Sequence, residues 1–246
     1  MNKLYLLDAY ALIYRAYYAL IQKPRINSKG MNTSAIYGFV NTLEEVKTLF
    51  SPTHMAVAFD PAGKTFRHEI YEPYKAQRQE TPEDIRKSVP VIKDIIRAYN
   101  IPILEVEHYE ADDVIGTAAS RFASADTEVY MLTPDKDYGQ LVGQNIWMLR
   151  PMKGGTFEKL GPAEVNAKYG IDDPKQVIDL LGLMGDSSDN IPGCPGVGEK
   201  TAVTLIKQFG GIDALLSGKD QLKGALKNKV TDNEQQILLS RDLATI

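Results

Sequence analysis

The chain has 246 residues, 43% apolar and 24% charged, with a formal net charge of −4, the profile of an ordinary soluble globular protein of one large or two smaller domains. Its single cysteine, Cys194, excludes an internal disulfide and fits a reducing cytoplasm. The apolar stretch Leu4–Ile21 is broken by Asp8 and Arg15, which excludes a signal peptide or membrane span there.

In chain order, residues 3–8 read as a short buried strand ending in Asp8, followed by helical spacing from Ala11 to Leu20. A loop rich in Gly, Pro, Asn and Ser spans 23–32 and leads into a helix ending near Phe50. A second strand, 54–60, ends in Asp60. Residues 61–81 are polar and show no apolar period. Thr81 as N-cap, Pro82 at the first helical position and Asp84 three residues after the cap predict a helix reaching about Tyr99. A short strand, 101–106, precedes a helix opening at Glu110. A third strand, 127–133, runs into Asp135, and a further strand covers 145–149. This alternation implies an α/β fold with a mainly parallel central sheet and flanking helices on both faces. Past about Gly170 the strands stop. Helical stretches at 177–184, 199–209, 212–216 and 233–243, with a Gly/Pro-rich turn at 191–198, predict a smaller helical subdomain. The chain ends at Asp242–Ile246 with no cap or breaker, and is expected to be a fragment of something longer.

The carboxyl ends of parallel strands lie together, so Asp8, Asp60 and Asp135 are expected to meet. Their repulsion calls for a positive partner, most simply a divalent cation. Three acidic clusters join them. Glu110, Asp112 and Asp113 open a helix whose apolar positions 111, 114, 115, 118 and 119 form one face. Taken alone, this cluster reads best as complementing the helix dipole. Asp135 and Asp137 read equally well as local caps of a turn. Asp186 and Asp189 sit in a Ser/Asn-rich loop, and most such loops are only loops. The joint occurrence shifts the balance, because all nine lie at element ends or in turns. Oxygen donors without His or Cys select Mg²⁺ or Mn²⁺. More carboxylates than one ion needs point to two ions and to phosphodiester hydrolysis.

Setting those nine carboxylates aside turns −4 into +5, and six lysines face three acidic residues between Gly196 and Val230. A basic footprint can therefore exist locally in an acidic chain. Gly196 and Gly198 in a turn entering a helix allow backbone N–H groups to approach a phosphate, although a plain tight turn looks the same. Lys200 and Lys207 can track a nucleic-acid backbone without reading sequence. The irregular stretch 65–78 interleaves Arg67, Lys75 and Arg78 with Phe66, Tyr71 and Tyr74, which suits a single strand: charge for phosphates, rings for bases. A solvated loop is the plain alternative.

Tyr109–Gly116, Leu132–Asp137 and Leu183–Gly193, followed by Gly196–Ala202, together resemble the 5′ nuclease family, in order and over essentially the whole chain. Within that family they are most similar to the N-terminal 5′→3′ exonuclease (flap endonuclease) domains of bacterial DNA polymerase I. The block Gly185–Gly193 is the most specific of these motifs. The resemblance implies a PIN-like nuclease core over residues 1–170, with a helical arch around 65–98. It also implies a helix-hairpin-helix subdomain over 171–246 that holds duplex DNA. It places Asp8, Asp60, Glu110, Asp112, Asp113 and Asp135 around a first ion and Asp137, Asp186 and Asp189 around a second. Lys75 and Arg78 match arch residues that position the scissile phosphate. Arg67 matches a further basic position, and Tyr74 joins it as a DNA-facing residue. Gly196, Gly198, Lys200 and Thr201 match the duplex-binding hairpin, where some members also hold K⁺.

The implied substrates are branched or flapped duplex DNA and RNA–DNA primers, handled by a monomer with no membrane partner and with covalently linked polymerase domains in the parent protein. Two departures stand out. Asp8-Ala9-Tyr10 replaces Asp-Gly followed by small residues, and Tyr138-Gly139 replaces the more usual Leu-Tyr. Neither removes a ligand. Rival readings are an RNase with an acidic site of the same kind, and a domain that only docks DNA for an attached polymerase.

Overall fold

The structure is a computed structural model describing residues 1–246. Contacts divide it into two compact units. Unit one comprises Met1–Thr65, Gln79–Tyr138 and Gly143–Leu160; unit two comprises Phe66–Arg78, Gly139–Val142 and Gly161–Ile246.

Unit one is built on a single six-stranded sheet in the order β3-β2-β1-β4-β5-β6. The strands are β1 (Asn2–Asp8), β2 (His54–Ala58), β3 (Ile103–Leu104), β4 (Thr127–Leu132), β5 (Ile146–Pro151) and β6 (Phe157–Leu160). All neighbours are parallel except β5 and β6. β1 is central and covered on both faces, hence its unbroken apolar run. Tyr5 and Leu7 on one face join a core with α1 (Ala9–Ala19), α2 (Ser34–Phe50) and α4 (Glu83–Ala98), through Leu12, Ile13, Phe39, Leu43, Ile85, Ile92 and Ile96. α5 (Ala111–Phe122) lies against β1, β2 and β4 and contributes no residue to that cluster, so it covers the other face.

Several details depart from the sequence reading. β2 stops at Ala58, and β3 is two residues long. The antiparallel edge strand β6 is not announced by the sequence, because Glu158 and Lys159 interrupt its short apolar pattern; Glu158 accepts from Arg150 Nε on β5 at 2.9 Å. Thr81 does not cap α4. Pro82 holds the cap position, and the Thr81 hydroxyl instead accepts from the Tyr14 hydroxyl at 2.9 Å. The stretch assigned to an arch, 65–98, is divided. Its second part is a core helix, in which Ile85, Ile92 and Ile96 are fully buried, and its first part belongs to unit two.

Unit two contains the short α3 (Phe66–Ile70), followed by α6 (Pro162–Tyr169), α7 (Gln176–Met184), α8 (Glu199–Phe209), α9 (Ile212–Ser217), α10 (Gly224–Asp232) and α11 (Glu234–Ala244). α7 packs against α11 and α8, burying Leu180, Leu181, Leu205, Ile206, Ile237 and Leu243. α10 has no sequence signature because Val230 is its only buried residue, which leaves no apolar period to detect. The loop between α7 and α8 closes on itself. Asp186 and Ile191 exchange backbone hydrogen bonds of 3.0 and 2.8 Å. Gly185 and Gly193 touch, both at positive φ, so that a Cβ on Gly193 would lie 2.3 Å from the Gly185 nitrogen. Only glycine satisfies both conditions. No helix of the chain is long and apolar enough to cross a membrane.

Candidate active site

The register of unit one creates the centre of the site. Leu7 on β1 faces Leu132 on β4, so the next residues, Asp8 and Thr133, emerge side by side at the carboxyl ends of their strands. Asp8 is buried and is the N-cap of α1, its Oδ1 accepting from the Ala11 N–H at 3.1 Å. Its Oδ2 accepts from the Thr133 hydroxyl and the Tyr138 hydroxyl, each at 3.1 Å. Burial, then the charge of Asp60, raises the Asp8 carboxyl from 3.8 to about 7, with Asp135 adding to the effect; the Ala11 and Tyr138 hydrogen bonds oppose it. Tyr138 is buried as well. Desolvation, followed by the charges of Asp8, Asp112, Asp135 and Asp60, pushes its phenol well above 10. The charges of four of the expected carboxylates, Asp8, Asp112, Asp135 and Asp60, thus all bear on the one buried phenol.

The neighbouring acids are held by backbone donors. Asp60 lies two residues beyond β2, and its Oδ1 accepts from the Ala111 N–H at 2.7 Å, at the start of α5. Glu110 is the buried N-cap of α5, and its own N–H donates to Asp113 Oδ2 at 2.9 Å. Asp113 therefore does have the local helix-start role that its position suggested. Asp112 Oδ1 accepts from the Asp113 N–H at 2.7 Å. After β4, the Asp135 N–H donates to Thr133 Oγ1 at 3.1 Å, and Asp135 Oδ1 accepts from the Asp137 N–H at 3.0 Å, ordering the 3₁₀ turn Lys136–Leu141. The donor set is all carboxylate oxygen, which suits a hard divalent cation. As they stand, no three acidic, His or Cys side chains surround one point closely enough to form a finished coordination shell. Thr133 and Tyr138 are site residues that sequence reasoning did not reach. A signal exists for Thr133, since it occupies on β4 the place that Asp8 occupies on β1.

In unit two, the segment 66–78 is fastened to the loop 186–190. The Lys75 N–H donates to the Asp189 carbonyl at 2.9 Å, Gln77 Nε2 to the Ser187 carbonyl at 2.7 Å, and Asn190 Nδ2 to the Pro73 carbonyl at 2.6 Å. Lys75 sits at φ +55, uncommon for a residue with a side chain, and these contacts hold it there. Asp189 gathers the cations: Lys75 Nζ lies 3.6 Å from its Oδ2, and Arg78 pairs with its Oδ1. Asp186 is buried, with its Oδ1 accepting from the Ser188 N–H at 2.7 Å and from the Ser188 hydroxyl.

Two expected DNA-facing residues are corrected. Arg67 is buried and donates to carbonyls at the end of α11, so its guanidinium is a structural clamp. Tyr74 is also buried, its hydroxyl donating to Asp189 Oδ2 at 3.2 Å, which leaves no ring face for a base. Gly196 has φ +73, and Gly198 is the extended N-cap of α8, where a Cβ would meet nothing within 4 Å. Lys200 is exposed and Thr201 half-buried in the first turn of that helix. Lys229, one of the six lysines between Gly196 and Val230, donates to the Gly196 carbonyl at 3.1 Å.

Two family models match the chain. Residues 3–170 match the "5′-3′ exonuclease, N-terminal resolvase-like domain" and residues 172–246 the "5′-3′ exonuclease, C-terminal SAM fold". DNA polymerase I of Bacillus caldotenax is 44% identical over 248 residues, covering 100% of this chain and 28% of that protein. The 5′-3′ exonuclease of Aquifex aeolicus is 39% identical, over 91% of this chain and 75% of its own length. The chain thus spans little more than a quarter of the polymerase it matches. Among solved structures, T5 5′-exonuclease with bound zinc ions superposes with a TM-score of 0.78 at 22% identity, covering 99% of this chain and 89% of that one, a likeness of fold.

Proposed function

The chain belongs to the 5′-3′ exonuclease family, and from that membership we propose a divalent-metal-dependent nuclease acting at 5′ ends and 5′ flaps of DNA, including RNA primers, as the N-terminal part of a DNA polymerase I. The observation that carries the metal dependence is the convergence of charge from Asp8, Asp60, Asp112 and Asp135 on the one buried phenol. Each of these carboxylates also holds a helix start or a turn, but those local contacts leave their mutual repulsion unanswered, and a hard cation would stabilise such a cluster of oxygen donors.

In this reading Asp8, Asp60, Glu110, Asp112, Asp113 and Asp135 supply the ligands and support of a Mg²⁺ or Mn²⁺ ion, with Asp113 acting through the helix start. Asp137, Asp186 and Asp189 supply carboxylates for a second ion. Such ions, when bound, supply Lewis acidity and charge neutralisation at the scissile phosphate. Lys75 and Arg78 bind and orient that phosphate; the negative charge of Asp189 is what they now answer, and a phosphate oxygen presents the same charge. The turn at Gly196 and Gly198, with Lys200 and Thr201 at the α8 N-terminus, grips the duplex backbone, with K⁺ as a further candidate ligand of the turn's carbonyls. The protein is proposed to work as a monomer in the cytoplasm.

A labelled 5′-flap oligonucleotide, with and without Mg²⁺, tests the proposal. Metal-dependent release of the flap is expected, together with loss of most turnover in Asp186→Ala at unchanged DNA affinity. A preference for single-stranded RNA would favour the RNase reading. Binding without cleavage would reduce the domain to a docking module.

A further inference from the structure

We infer that Tyr138 is a positioning residue for Asp8, selecting which oxygen of that carboxylate is presented to a divalent cation. The inference rests on the proposed metal centre. It starts from a local oddity, since a buried phenol stands beside a buried carboxylate at the ends of the parallel strands. An apolar side chain would fill the space without offering a donor. Here the ring is buried and its hydroxyl lies 3.1 Å from Asp8 Oδ2.

The Thr133 hydroxyl reaches the same oxygen at 3.1 Å, while Oδ1 receives one donor, the Ala11 N–H, also at 3.1 Å. A carboxylate oxygen has two lone-pair directions. Two donors therefore fill Oδ2, and one direction of Oδ1 is left for a cation. The three donors come from three places: the first turn of α1, the end of β4 and the 3₁₀ turn after it. The terminal torsion of aspartate is otherwise soft. Pinning both of its oxygens fixes the plane of the carboxylate before any ion arrives. Thr133 also accepts from the Asp135 N–H at 3.1 Å, so the orientation of Asp8 is tied to the turn that carries Asp135 and Asp137. Groups that hydrogen-bond a metal-ligating carboxylate typically change metal affinity by about 10- to 100-fold when removed.

Tyr138→Phe removes the hydroxyl and keeps the ring. The first readout is Mn²⁺ affinity of the protein alone, by titration calorimetry or by electron paramagnetic resonance of unbound Mn²⁺. The variant is expected to bind Mn²⁺ about ten-fold more weakly. Its kcat on a 5′ flap should fall while KM for the DNA stays within about two-fold, since the phenol touches no part of the duplex grip. The denaturation midpoint without metal confirms that the variant is folded. Mn²⁺ affinity within about two-fold of the parent, or tighter, overturns the inference and leaves Tyr138 a packing residue. Asp8→Asn separates this failure from the larger one. If Asp8→Asn binds Mn²⁺ as the parent does, the metal-centre reading itself has failed. If it loses Mn²⁺ while Tyr138→Phe does not, only the positioning role is lost.

Discussion

Arg67 Nε donates to the carbonyl of Leu243 at 2.9 Å, and its Nη2 donates to the carbonyl of Thr245 at 2.7 Å. These are carbonyls that the end of α11 leaves without intrahelical partners, so the buried cation closes a helix C-terminus where the dipole is negative. Arg67→Met keeps much of the volume and loses the donors. It is expected to lower unfolding stability by on the order of 3 kcal/mol, the scale of two charge-assisted bonds, one buried and one part-buried. In urea titrations this appears as a lower midpoint, and the salt dependence of duplex affinity should not change. A slope reduced by about one would return Arg67 to a phosphate-facing role.

Arg78 pairs with Asp189 from a half-exposed position, whereas Lys75, 3.6 Å from the same carboxylate, is largely covered. A pair so open to solvent contributes about 1 kcal/mol or less. Arg78→Ala is therefore expected to leave the denaturation midpoint nearly unchanged and to slow single-turnover flap cleavage by about 100-fold, the typical loss when one donor to a developing charge is removed. Cleavage at the parent rate would mean that Arg78 serves only to neutralise Asp189.

The strand-end aspartates are legible in the sequence because they follow short apolar runs, and parallel strands bring their carboxyl ends together. Thr133 is legible by the same argument, as the residue that ends the third of those runs. What the sequence does not disclose has a common cause in contacts distant along the chain. Arg67 and Tyr74 look like nucleic-acid residues because basic and aromatic types alternate there. Their partners, Leu243 and Asp189, lie more than a hundred residues away and leave no local pattern. Likewise β6 and α10 lack the periodicity that would announce them, since each is fixed by pairing or packing and not by its own apolar face.

Gly38 on α2 marks the crossing with α1. A Cβ built there would lie 2.5 Å from Ala16 Cβ and 3.2 Å from its Cα, atoms that no side-chain rotation can move. Gly38→Ala gains about 1 kcal/mol of intrinsic helix propensity. It also forces the two helices apart in a core that includes Leu12, Ile13 and Phe39, at a typical cost of about 1–3 kcal/mol. The expected net result is a lower thermal midpoint. An unchanged or higher midpoint would show that α1 can shift without loss.

Asp179 in α7 provides a pH test of unit two. Burial raises its carboxyl above the ordinary 3.8, and Asp213 adds to this, while the Ile212 N–H, 3.2 Å from its Oδ1, and Arg241 oppose it. A carboxyl raised on folding favours the native state most when protonated. Its contribution is therefore fully present below about pH 3.8 and is lost as pH rises through the native value. Asp179→Asn keeps an acceptor for the Ile212 N–H and cannot ionise. Relative to the parent, the variant should gain stability steadily from about pH 4 upward and be at least as stable at neutral pH, with the advantage vanishing in acid. Denaturation midpoints of both proteins across that range provide the measurement. A variant that loses stability at neutral pH and recovers in acid would reverse the sign, and would mean that the Ile212 hydrogen bond and the attraction of the Arg241 charge outweigh the cost of burying Asp179.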